Sequence, residues 1–563
     1  MTRSAPIPAH RLLATEAGPF TFREKGAFRV CLVYPNTYAV GMSNLGFQTN
    51  YRIINEVPGV TCERCFLPEL EGPSRSGDRR PPIRSLETGR PLSEFHVVAF
   101  SVSYELDLLN VIRMLHRSGL HPLRSRRSPS SPVVMAGGVA VTANPFPLDD
   151  VADLFWIGES EGHLGEAMTH LVEGYRTDSL LADLGRRPQI YVPGVNSYRE
   201  ACLTARTTPI DGHPATSQIL TPHTVFSNTG LVEISRGCRW HCRFCLARVL
   251  YGPVRSLSPG VVLERARAFA PFTRKLGLFG PGISDYEGLT ELLTDLASAG
   301  FSVSCSSLRT AAMTPSLLAA IERAGQRTVT VAPESFSRRL LACLAKGSDP
   351  DRTQAGLDQL ARSSLGRVKV YLMIGIPGET EGDLAQIKQT LGPLIRPKGP
   401  SWELSFSILT PKPHTHLQAS PFVSRADLET SLRFLKRDLP AMALGNVELP
   451  TFRAGFLCDY LSRGDARVGR SLVQQIMTDP DERFALSYRD YLAEMDRIMS
   501  AGAAPWSLSP GSWPGRPAPA PPGQVPDPER DTDDPTAGTD AGPEDPDADR
   551  ADASSRGDRT NDG

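Results

Sequence analysis

The sequence predicts an α/β fold in two parts: an amino-terminal doubly wound parallel sheet, then a partial (β/α)6 barrel. Short apolar runs alternate with amphipathic helical patterns over residues 20–195, and the alternation resumes over 229–440. Such alternation is typical of parallel sheets, because each crossover helix covers a face of the sheet. A compact cysteine triplet follows the first strand of the second part, where parallel barrels place their chemistry.

The first part contains four predicted strands with helical patterns between or after them. We assign strands to Arg29–Tyr34, His96–Ser103, Pro132–Gly138 and Asp153–Ile157, and helices to Leu45–Asn55, Glu105–His116 and Glu161–Glu173. Ligands of doubly wound sheets bind outside the carboxyl ends of the strands. Ser101 and Ser103, and the Gly137–Gly138 turn, fall at such ends. They indicate either a binding loop or tight turns that need small residues.

The second part contains six predicted strand and helix units, which make an incomplete barrel. We assign strands to Leu231–Ser235, Lys275–Gly280, Phe301–Ser306, Thr328–Ala332, Val368–Gly375 and Glu403–Thr410. Helical patterns follow, for example at Pro259–Ala268, Tyr286–Ala299, Pro315–Ala324, Glu381–Leu391 and Arg425–Leu439. In parallel barrels the residues that carry chemistry follow each strand.

Three other stretches complete the predicted organisation. Residues 196–228 are rich in Pro and Thr and predict a surface linker, and 441–502 predict a helical extension. After Val525 the chain has no aromatic residue and no aliphatic residue larger than Ala. Such a segment cannot bury enough surface to offset its ordering entropy, so we expect 503–563 to be a disordered, mostly acidic tail.

Charge and hydropathy narrow the class of protein. Lys and Arg number 61 against 62 Asp and Glu, a formal net charge of -1, so no global field attracts nucleic acid and nucleic-acid binding is not indicated. No run of about 18 apolar residues and no apolar amino-terminal signal occur, so we expect a cytoplasmic protein without membrane contact. A cytoplasmic chain keeps its ten cysteines reduced.

The spacing of Cys238, Cys242 and Cys245, C-x3-C-x2-C, is typical of an iron-sulfur site. Three thiolates hold three irons of a 4Fe-4S cubane, whereas electron-transfer clusters use four cysteines. The open fourth iron can chelate the amino and carboxylate groups of S-adenosylmethionine (SAM), whose sulfonium then takes up one electron. The alternative is a zinc site that adds His241 or His223. Cys62 and Cys65 form a second close pair, interpreted either as metal ligands or as packing.

The segment RGCRWHCRFC (236–245) resembles the signature of the radical SAM superfamily. The resemblance implies that the Phe244 backbone contacts adenine and that Glu334 offers a polar group to the ribose or methionyl end. It also implies that Gly280 and Gly282 meet the methionine amino group, although the segment departs from the common Gly-Gly-Glu form. Gly375, Pro377 and Gly378 resemble an adenine-flanking region, with a simple helix start as the alternative.

The amino-terminal part resembles the cobalamin-binding domain that is fused to many members of this superfamily. The resemblance rests on Ser101, Ser103, Gly137, Gly138 and the segment 158–161. CERCFLPELEG, PKPHTH (411–416) and SRGDARVG (462–469) also resemble a subfamily of such fusions. The loop after the first strand lacks the Asp-x-His-x-x-Gly motif. The resemblance therefore implies cobalamin without a lower histidine ligand, or a relic domain.

Three functions follow from these observations. The first is a cobalamin-dependent radical methylase acting on an unknown substrate. The second is a cobalamin-independent radical SAM enzyme for rearrangement, oxidation or sulfur insertion. The third is an iron-sulfur sensor without turnover, which would not need the SAM-binding loops of the barrel. Either enzyme requires an electron donor such as flavodoxin or ferredoxin.

Overall fold

A computed structural model describes residues 7–69, 82–205, 209–347, 349–442, 444–479, 481–500 and 504–507. Within these residues the predicted α/β fold is confirmed, because a mainly parallel sheet is followed by an open parallel barrel. Both belong to one compact unit. Of the predicted tail, only 504–507 are described, and Trp506 is buried there. No helix among the described residues is both long and apolar enough to cross a membrane.

The amino-terminal sheet has six strands in the order β2-β1-β3-β4-β5-β6, of which only β6 runs antiparallel to its neighbour. The strands are β1 (Phe28–Tyr34), β2 (Val60–Phe66), β3 (Val97–Ser101), β4 (Val133–Gly137), β5 (Leu154–Trp156) and β6 (Ile190–Tyr191). The chain moves to one side from β1 to β2 and then returns to the other side with β3. This reversal between β1 and β3 is the point at which such sheets bind ligands.

Eight helices accompany this sheet in the described residues. They are α1 (Ala9–Ala14), α2 (Tyr38–Gly41), α3 (Leu45–Glu56), α4 (Leu108–Arg117), α5 (Val139–Ala143), α6 (Leu164–Glu173), α7 (Leu180–Gly185) and α8 (Tyr198–Thr204). The Asn44 side chain accepts the Phe47 N–H and begins α3. Helix α8 lies within the predicted linker, where Ser197 and Glu200 form a capping box.

Strand β2 was not predicted, and Cys62 and Cys65 lie within it rather than after a strand. Its polar residues Glu63 and Arg64 interrupt the apolar run, yet both are buried. Arg64 contacts the carboxylates of Glu16 and Glu87 at 2.7 Å, so its burial is compensated by charge pairing. Three residues apart on a strand, the two cysteines belong to different core clusters on opposite faces. They do not form one metal-binding pair.

The second part is a half-open barrel of parallel strands. Its strands are β7 (Gly230–Glu233), β10 (Lys275–Phe279), β11 (Ser302–Cys305), β12 (Thr328–Glu334), β13 (Arg367–Ile374), β14 (Ser401–Ile408) and β15 (Asn446–Glu448), with a small hairpin of β8 (Ser235–Arg236) and β9 (Arg255–Ser256). The order β7-β10-β11 continues through one parallel bridge, Leu308 to Val331, into β12-β13-β14-β15. All six predicted strands are present, and β15 is an additional short strand.

Eleven helices cover the barrel or extend it in the described residues. They are α9 (Leu246–Tyr251), α10 (Pro259–Phe269), α11 (Leu289–Ser298), α12 (Pro315–Arg323), α13 (Arg338–Cys343), α14 (Pro350–Ala361), α15 (Glu381–Leu391), α16 (Arg425–Asp438), α17 (Phe452–Ser462), α18 (Ala466–Thr478) and α19 (Tyr488–Ser500). Two helices, α13 and α14, connect β12 to β13, where a helical pattern was expected without assigned bounds. The predicted helical extension contains α17 to α19.

The two faces of the barrel strands differ in polarity. On β13, Val368, Val370, Leu372 and Ile374 pack into the core under the helices, while Lys369 and Tyr371 point to the concave side. The concave positions of β14 are Ser401, Glu403, Ser405 and Ser407. Closed parallel barrels fill their interior with bulky apolar side chains. Here the interior is polar and partly exposed, so it is a groove rather than a packed core.

Hydrogen bonds of the segments PKPHTH (411–416) and SRGDARVG (462–469) connect the barrel part to the sheet part. The Asn144 amide donates to the Ser462 and Gly464 carbonyl oxygens at 2.9 and 2.8 Å. His414 Nε2 lies 2.9 Å from the Ala143 carbonyl oxygen. A Cβ at Gly469 would overlap the Pro147 carbonyl oxygen, so glycine is required where α18 meets the sheet part. These contacts hold the carboxyl edge of the sheet beside the barrel mouth.

Candidate active site

The three cysteines lie in one loop at the carboxyl end of the first barrel strand. Gly237 leads into the loop with a φ of 81°, and a Cβ there would meet the Tyr251 and Pro253 carbonyl oxygens. Cys238, Cys242 and Cys245 are half-buried. Burial, together with the neighbouring Cys245 and Cys238, raises the pKa of Cys242 to about 11 against the opposing charges of Lys346 and Arg309. The thiols are therefore close enough to interact and are kept from bulk water.

Among the described residues, no group of three or more His, Cys, Asp or Glu side chains converges on one metal position. A cubane cluster does not require such convergence, because each thiolate binds a different iron atom. Gly282, predicted beside the methionine amino group, lies near Cys238, and a Cβ there would be 4.0 Å from its Sγ. The donor set and its spacing thus fit a three-cysteine cluster.

Phe244 and Glu334, both predicted SAM contacts, lie together beside these thiols and are joined by Lys346. The Lys346 Nζ is 2.8 Å from Glu334 Oε1 and 5.9 Å from the centre of the Phe244 ring. Glu334 has a φ of 65°, an uncommon conformation for a residue with a side chain. Lys346 lowers the pKa of Cys242 and Cys245 against the effect of burial. The sequence analysis missed Lys346, which follows α13.

Trp240, within the cysteine loop, contacts side chains that follow two other barrel strands. Its Nε1 donates to Asp285 Oδ2 at 2.7 Å, and the guanidinium of Arg309 stacks 3.6 Å from the ring centre. Burial lowers the pKa of Arg309, which remains charged at neutral pH, and Cys242 and Cys238 oppose the shift. Arg309 follows β11 and was also missed. Its position after a barrel strand is the signal that would have found it.

The predicted adenine-flanking residues form a turn before α15. Gly375 and Gly378 have φ values of 73° and 75°, which glycine adopts without strain. Helix α15 begins only after Thr380, whose side chain accepts the Asp383 N–H and caps the helix. Pro377 therefore lies in the turn and not in the helix. Ile376 packs with Leu340, Leu344, Leu409 and Leu417, and Phe244 packs against this cluster. The turn thus lies on the Phe244 side of the cysteine loop.

A cavity of about 510 Å³ lies between the carboxyl ends of the sheet strands and the barrel mouth. All four predicted cobalamin residues line it, namely Ser101, Ser103, Gly137 and Gly138. Gly280, predicted as a SAM contact, lines the same cavity from the barrel side, together with Ser306 and Ser307. A Cβ at Gly280 would overlap Ser235, so close strand approach also requires this glycine. The structure thus brings loops from both parts of the chain to one space.

The cavity has an apolar floor and a polar rim. Leu32, Ala99 and Met135 from three neighbouring strands form the floor with Ile54 of α3. Asn50 also lines the cavity, and its Oδ1 is buried without a hydrogen-bond partner. A buried acceptor without a partner costs free energy, so it fits a site completed by a ligand donor. None of the described lining residues is a histidine.

A buried ion-pair network joins the cavity to the cysteine loop. Arg236, two residues before Cys238, contacts Glu159, Glu161 and Glu233 at 3.1, 2.7 and 2.6 Å. Arg255 pairs with Glu159 from the facing strand β9. Glu159 and Glu161 come from the sheet segment 158–161, whose sequence resembles cobalamin domains. The network therefore fixes that segment against the strand that leads into the cysteines.

Family models match both parts of the chain. Residues 46–193 match the family described as radical SAM proteins, N-terminal, and residues 232–391 match the radical SAM superfamily. The C-x3-C-x2-C loop after the first barrel strand lies within the second matched segment. The chain belongs to the radical SAM superfamily. Membership implies a 4Fe-4S cluster and SAM as cofactors.

Individual proteins are similar over much of the chain. An uncharacterized protein of Methanocaldococcus jannaschii is 26% identical over 452 residues, which cover 79% of this chain and 90% of the relative. The radical SAM methyltransferase TsrM from Kitasatospora setae has a TM-score of 0.46 at 14% identity, covering 67% of this chain and 73% of its own. The cobalamin-dependent radical enzyme OxsB has a TM-score of 0.42 at 13% identity, covering 75% and 58%.

Proposed function

We propose that this chain binds a 4Fe-4S cluster through Cys238, Cys242 and Cys245 and cleaves SAM reductively. The observation that carries the proposal is the set of three half-buried cysteines, spaced C-x3-C-x2-C, in one loop after the first barrel strand. A reduced cluster of this kind supplies one electron to SAM, whose C–S bond breaks to give a 5′-deoxyadenosyl radical.

The chain's own residues bind SAM and exclude water. The positive charges of Lys346 and Arg309 both act on the Cys242 thiol, and these side chains are suited to hold the methionine carboxylate. Glu334, oriented by Lys346, accepts a hydrogen bond from the ribose or from the amino group. Phe244 and the apolar cluster behind it form a dry wall at the adenine end.

The test of this proposal is to replace Cys238, Cys242 and Cys245 together with Ala. We expect the triple variant to lose the brown chromophore, iron, sulfide and SAM cleavage, because these are the only cysteines with cluster spacing. A Cys62→Ala and Cys65→Ala double variant is the control and should keep its iron, because those thiols lie on opposite faces of the sheet. Wild-type iron content in the triple variant would contradict the assignment.

We further propose that the cavity binds a corrinoid without a histidine ligand and that the enzyme is a methylase. Its volume of about 510 Å³ is within the usual range of cofactor pockets, and it opens where the strand order reverses. Ser101, Ser103 and Asn50 supply hydrogen bonds to amide groups of the ligand. Gly280 and Ser306 on the opposite wall place such a ligand beside the barrel mouth.

The corrinoid proposal needs a variant that fills the cavity without breaking the sheet. Gly138 is unsuitable, because its φ is 103° and a Cβ would overlap the Val102 backbone. Ser103→Trp instead adds volume at the half-buried rim of the cavity. Ser128→Trp, at an exposed position before β4, is the control for adding a tryptophan.

Both variants are purified without oxygen and reconstituted with hydroxocobalamin, then passed through gel filtration. We expect corrinoid absorbance to remain with the wild type and with Ser128→Trp and to be lost from Ser103→Trp, at unchanged iron content. If the wild type itself retains no corrinoid, the cobalamin-independent radical enzyme is the better account. The sensor without turnover is then the remaining alternative only if SAM cleavage is also absent.

A further inference from the structure

Arg243 is a buried arginine inside the cysteine loop, between Cys242 and Phe244, and it is only 7% exposed. A buried guanidinium costs free energy unless its donors find acceptors. Its Nη1 donates to the Cys343 carbonyl oxygen at 3.2 Å. Cys343 is the last residue of α13, and the final carbonyl oxygens of a helix have no partner within the helix. Arg243 therefore caps the carboxyl end of α13 from the cysteine loop.

The backbone of Arg243 is held on both sides as well. Its N–H donates to the Leu344 carbonyl oxygen at 2.9 Å, and its carbonyl oxygen accepts the Leu417 N–H at 3.3 Å. Leu344 and Leu417 belong to the apolar cluster against which Phe244 packs. The cysteine loop, the end of α13 and the segment that follows β14 are thus joined at one residue.

The turn after α13 leads directly to Lys346. The Ala345 N–H donates to the Ala342 carbonyl oxygen at 3.0 Å. The Lys346 N–H donates to the Leu341 carbonyl oxygen, also at 3.0 Å, which completes a Schellman motif. Ala345 has a φ of 46° at the position where glycine is usual. A residue with a side chain keeps this strained conformation only where the surrounding structure holds it.

We propose that Arg243 is a positioning residue for SAM, because it anchors the turn after α13 and thereby holds Lys346 where the methionine carboxylate binds. The inference rests on the proposed function, which assigns Lys346 to that carboxylate. The Arg243 guanidinium is committed to the end of α13, so it acts on SAM through Lys346. A lysine on an anchored turn loses less conformational freedom when it binds a carboxylate, and SAM binding is tighter for that reason.

The test is a double-mutant cycle on the cluster-loaded full chain under anaerobic conditions. Equilibrium dialysis against labelled SAM measures the affinity of each variant. We expect Arg243→Met to weaken SAM binding about tenfold, as much as Lys346→Met does. In the double variant the loss should stay near about tenfold and not reach about a hundredfold, because two residues that act through one contact are not additive. A general loosening of the cysteine loop would instead add to the effect of Lys346→Met.

Arg127→Met is the matched control for the loss of a buried guanidinium. The Arg127 side chain is 4% exposed, and its Nη1 donates to the His121 and Pro122 carbonyl oxygens, but it lies in the sheet part. This variant should bind SAM as the wild type does. An equal loss of affinity in Arg127→Met would assign the effect of Arg243→Met to lost stability and overturn the proposal.

An unchanged affinity in Arg243→Met, or a loss of about a hundredfold in the double variant, also overturns the positioning role. If Arg243→Met loses iron, Arg243→Lys decides, because lysine keeps the charge but lacks the planar fork of donors. We then expect a loss of at least about threefold that vanishes beside Lys346→Met, and any other result overturns the proposal. Lys346→Met without effect overturns the proposed SAM contact and the positioning role with it. A wild type without iron overturns the proposed function itself.

Discussion

Asp107 is a buried carboxyl at the carboxyl end of β3, and it couples stability to pH. Its Oδ1 accepts from the Asn36 and Asn110 amides, yet burial raises its pKa from 3.8 to about 6. The folded state therefore holds a proton between pH 3.8 and about 6 that the unfolded state releases. Stability falls as pH rises through this window, at about 1.4 kcal/mol per unit of pKa difference.

We expect Asp107→Asn to raise the melting temperature of the apoprotein at about pH 7.5 but not at about pH 4.5. At the lower pH the wild-type carboxyl is mostly protonated and already neutral. Melting curves of both proteins at the two pH values check this. A constant difference at both values would mean that the side-chain substitution, and not ionisation, sets the effect.

Lys346 and Lys369 offer a matched pair at residue scale. Each lysine pairs with a glutamate and lies over an aromatic ring. The Lys346 Nζ is 2.8 Å from a Glu334 carboxylate oxygen and 5.9 Å from the centre of the Phe244 ring. The Lys369 Nζ is 3.1 Å from a Glu448 carboxylate oxygen and 5.5 Å from the centre of the Tyr371 ring. Only Lys346 adjoins the cysteines. Lys346→Met should weaken SAM binding about tenfold, or about 1.4 kcal/mol, by removing a cation for the carboxylate.

Lys369→Met should leave SAM affinity unchanged, because Lys369 lies near the amino end of β13, whereas the cysteine loop follows the carboxyl end of a barrel strand. Equilibrium dialysis of the cluster-loaded variants against labelled SAM measures both. Equal losses in the two variants would remove Lys346 from the binding site.

At the scale of elements, Arg236 joins β8 to the segment 158–161 by pairing with the buried Glu159 and Glu161, and it also contacts the half-buried Glu233 of β7. Removing the guanidinium takes the cation away from Glu161 and Glu233, while Glu159 keeps Arg255, and the loss of one partner of a buried pair costs about 3–5 kcal/mol. Arg236→Met should therefore lower the melting temperature by several degrees. Arg425→Met is the control, because Arg425 is 63% exposed and its pair with Glu429 is of the kind worth at most about 1 kcal/mol.

A separate set of buried ion pairs, around Arg64 in β2, shows what sequence patterns cannot predict at the scale of elements. Strand β2 escaped prediction because Glu63 and Arg64 are charged, and the carboxylates that pair with Arg64, those of Glu16 and Glu87, are distant in sequence. Periodicity correctly located the six barrel strands, since a long apolar alternation needs no knowledge of partners. It gave no bounds for α13, a helix of only six residues, because so short an element has little pattern.

At the scale of the whole molecule, the segment 504–507 packs back against the end of α17 through Trp506. Trp506 is 1% exposed, and its indole N–H donates to the Arg463 carbonyl oxygen at 2.9 Å. Arg463 in turn pairs with Asp459 and donates to the Gln418 and Ser420 carbonyl oxygens. Trp506 therefore stabilises the loop that joins the barrel to the sheet.

Deleting the chain after about Pro510 should leave the melting temperature and the activity unchanged, because the sequence beyond Val525 has nothing to bury. Trp506→Ala in the full chain should lower the melting temperature by several degrees, since truncating a buried Trp costs about 3–5 kcal/mol. Calorimetry of the two proteins beside the wild type separates these effects. A destabilised truncation would assign a packing role to the tail.

The sequence by itself determined the fold class, the position of the cysteine loop and the loops that follow each strand. Those features are local, because strand and helix periods and ligand spacing are set by neighbours along the chain. Only the tertiary structure decided that Ser103 and Gly280 share a cavity, that Lys346 and Arg309 flank the thiols, and that Cys62 and Cys65 diverge. These relations depend on how separate strands and loops pack. Packing between residues that are far apart in sequence produces no periodic pattern along the chain.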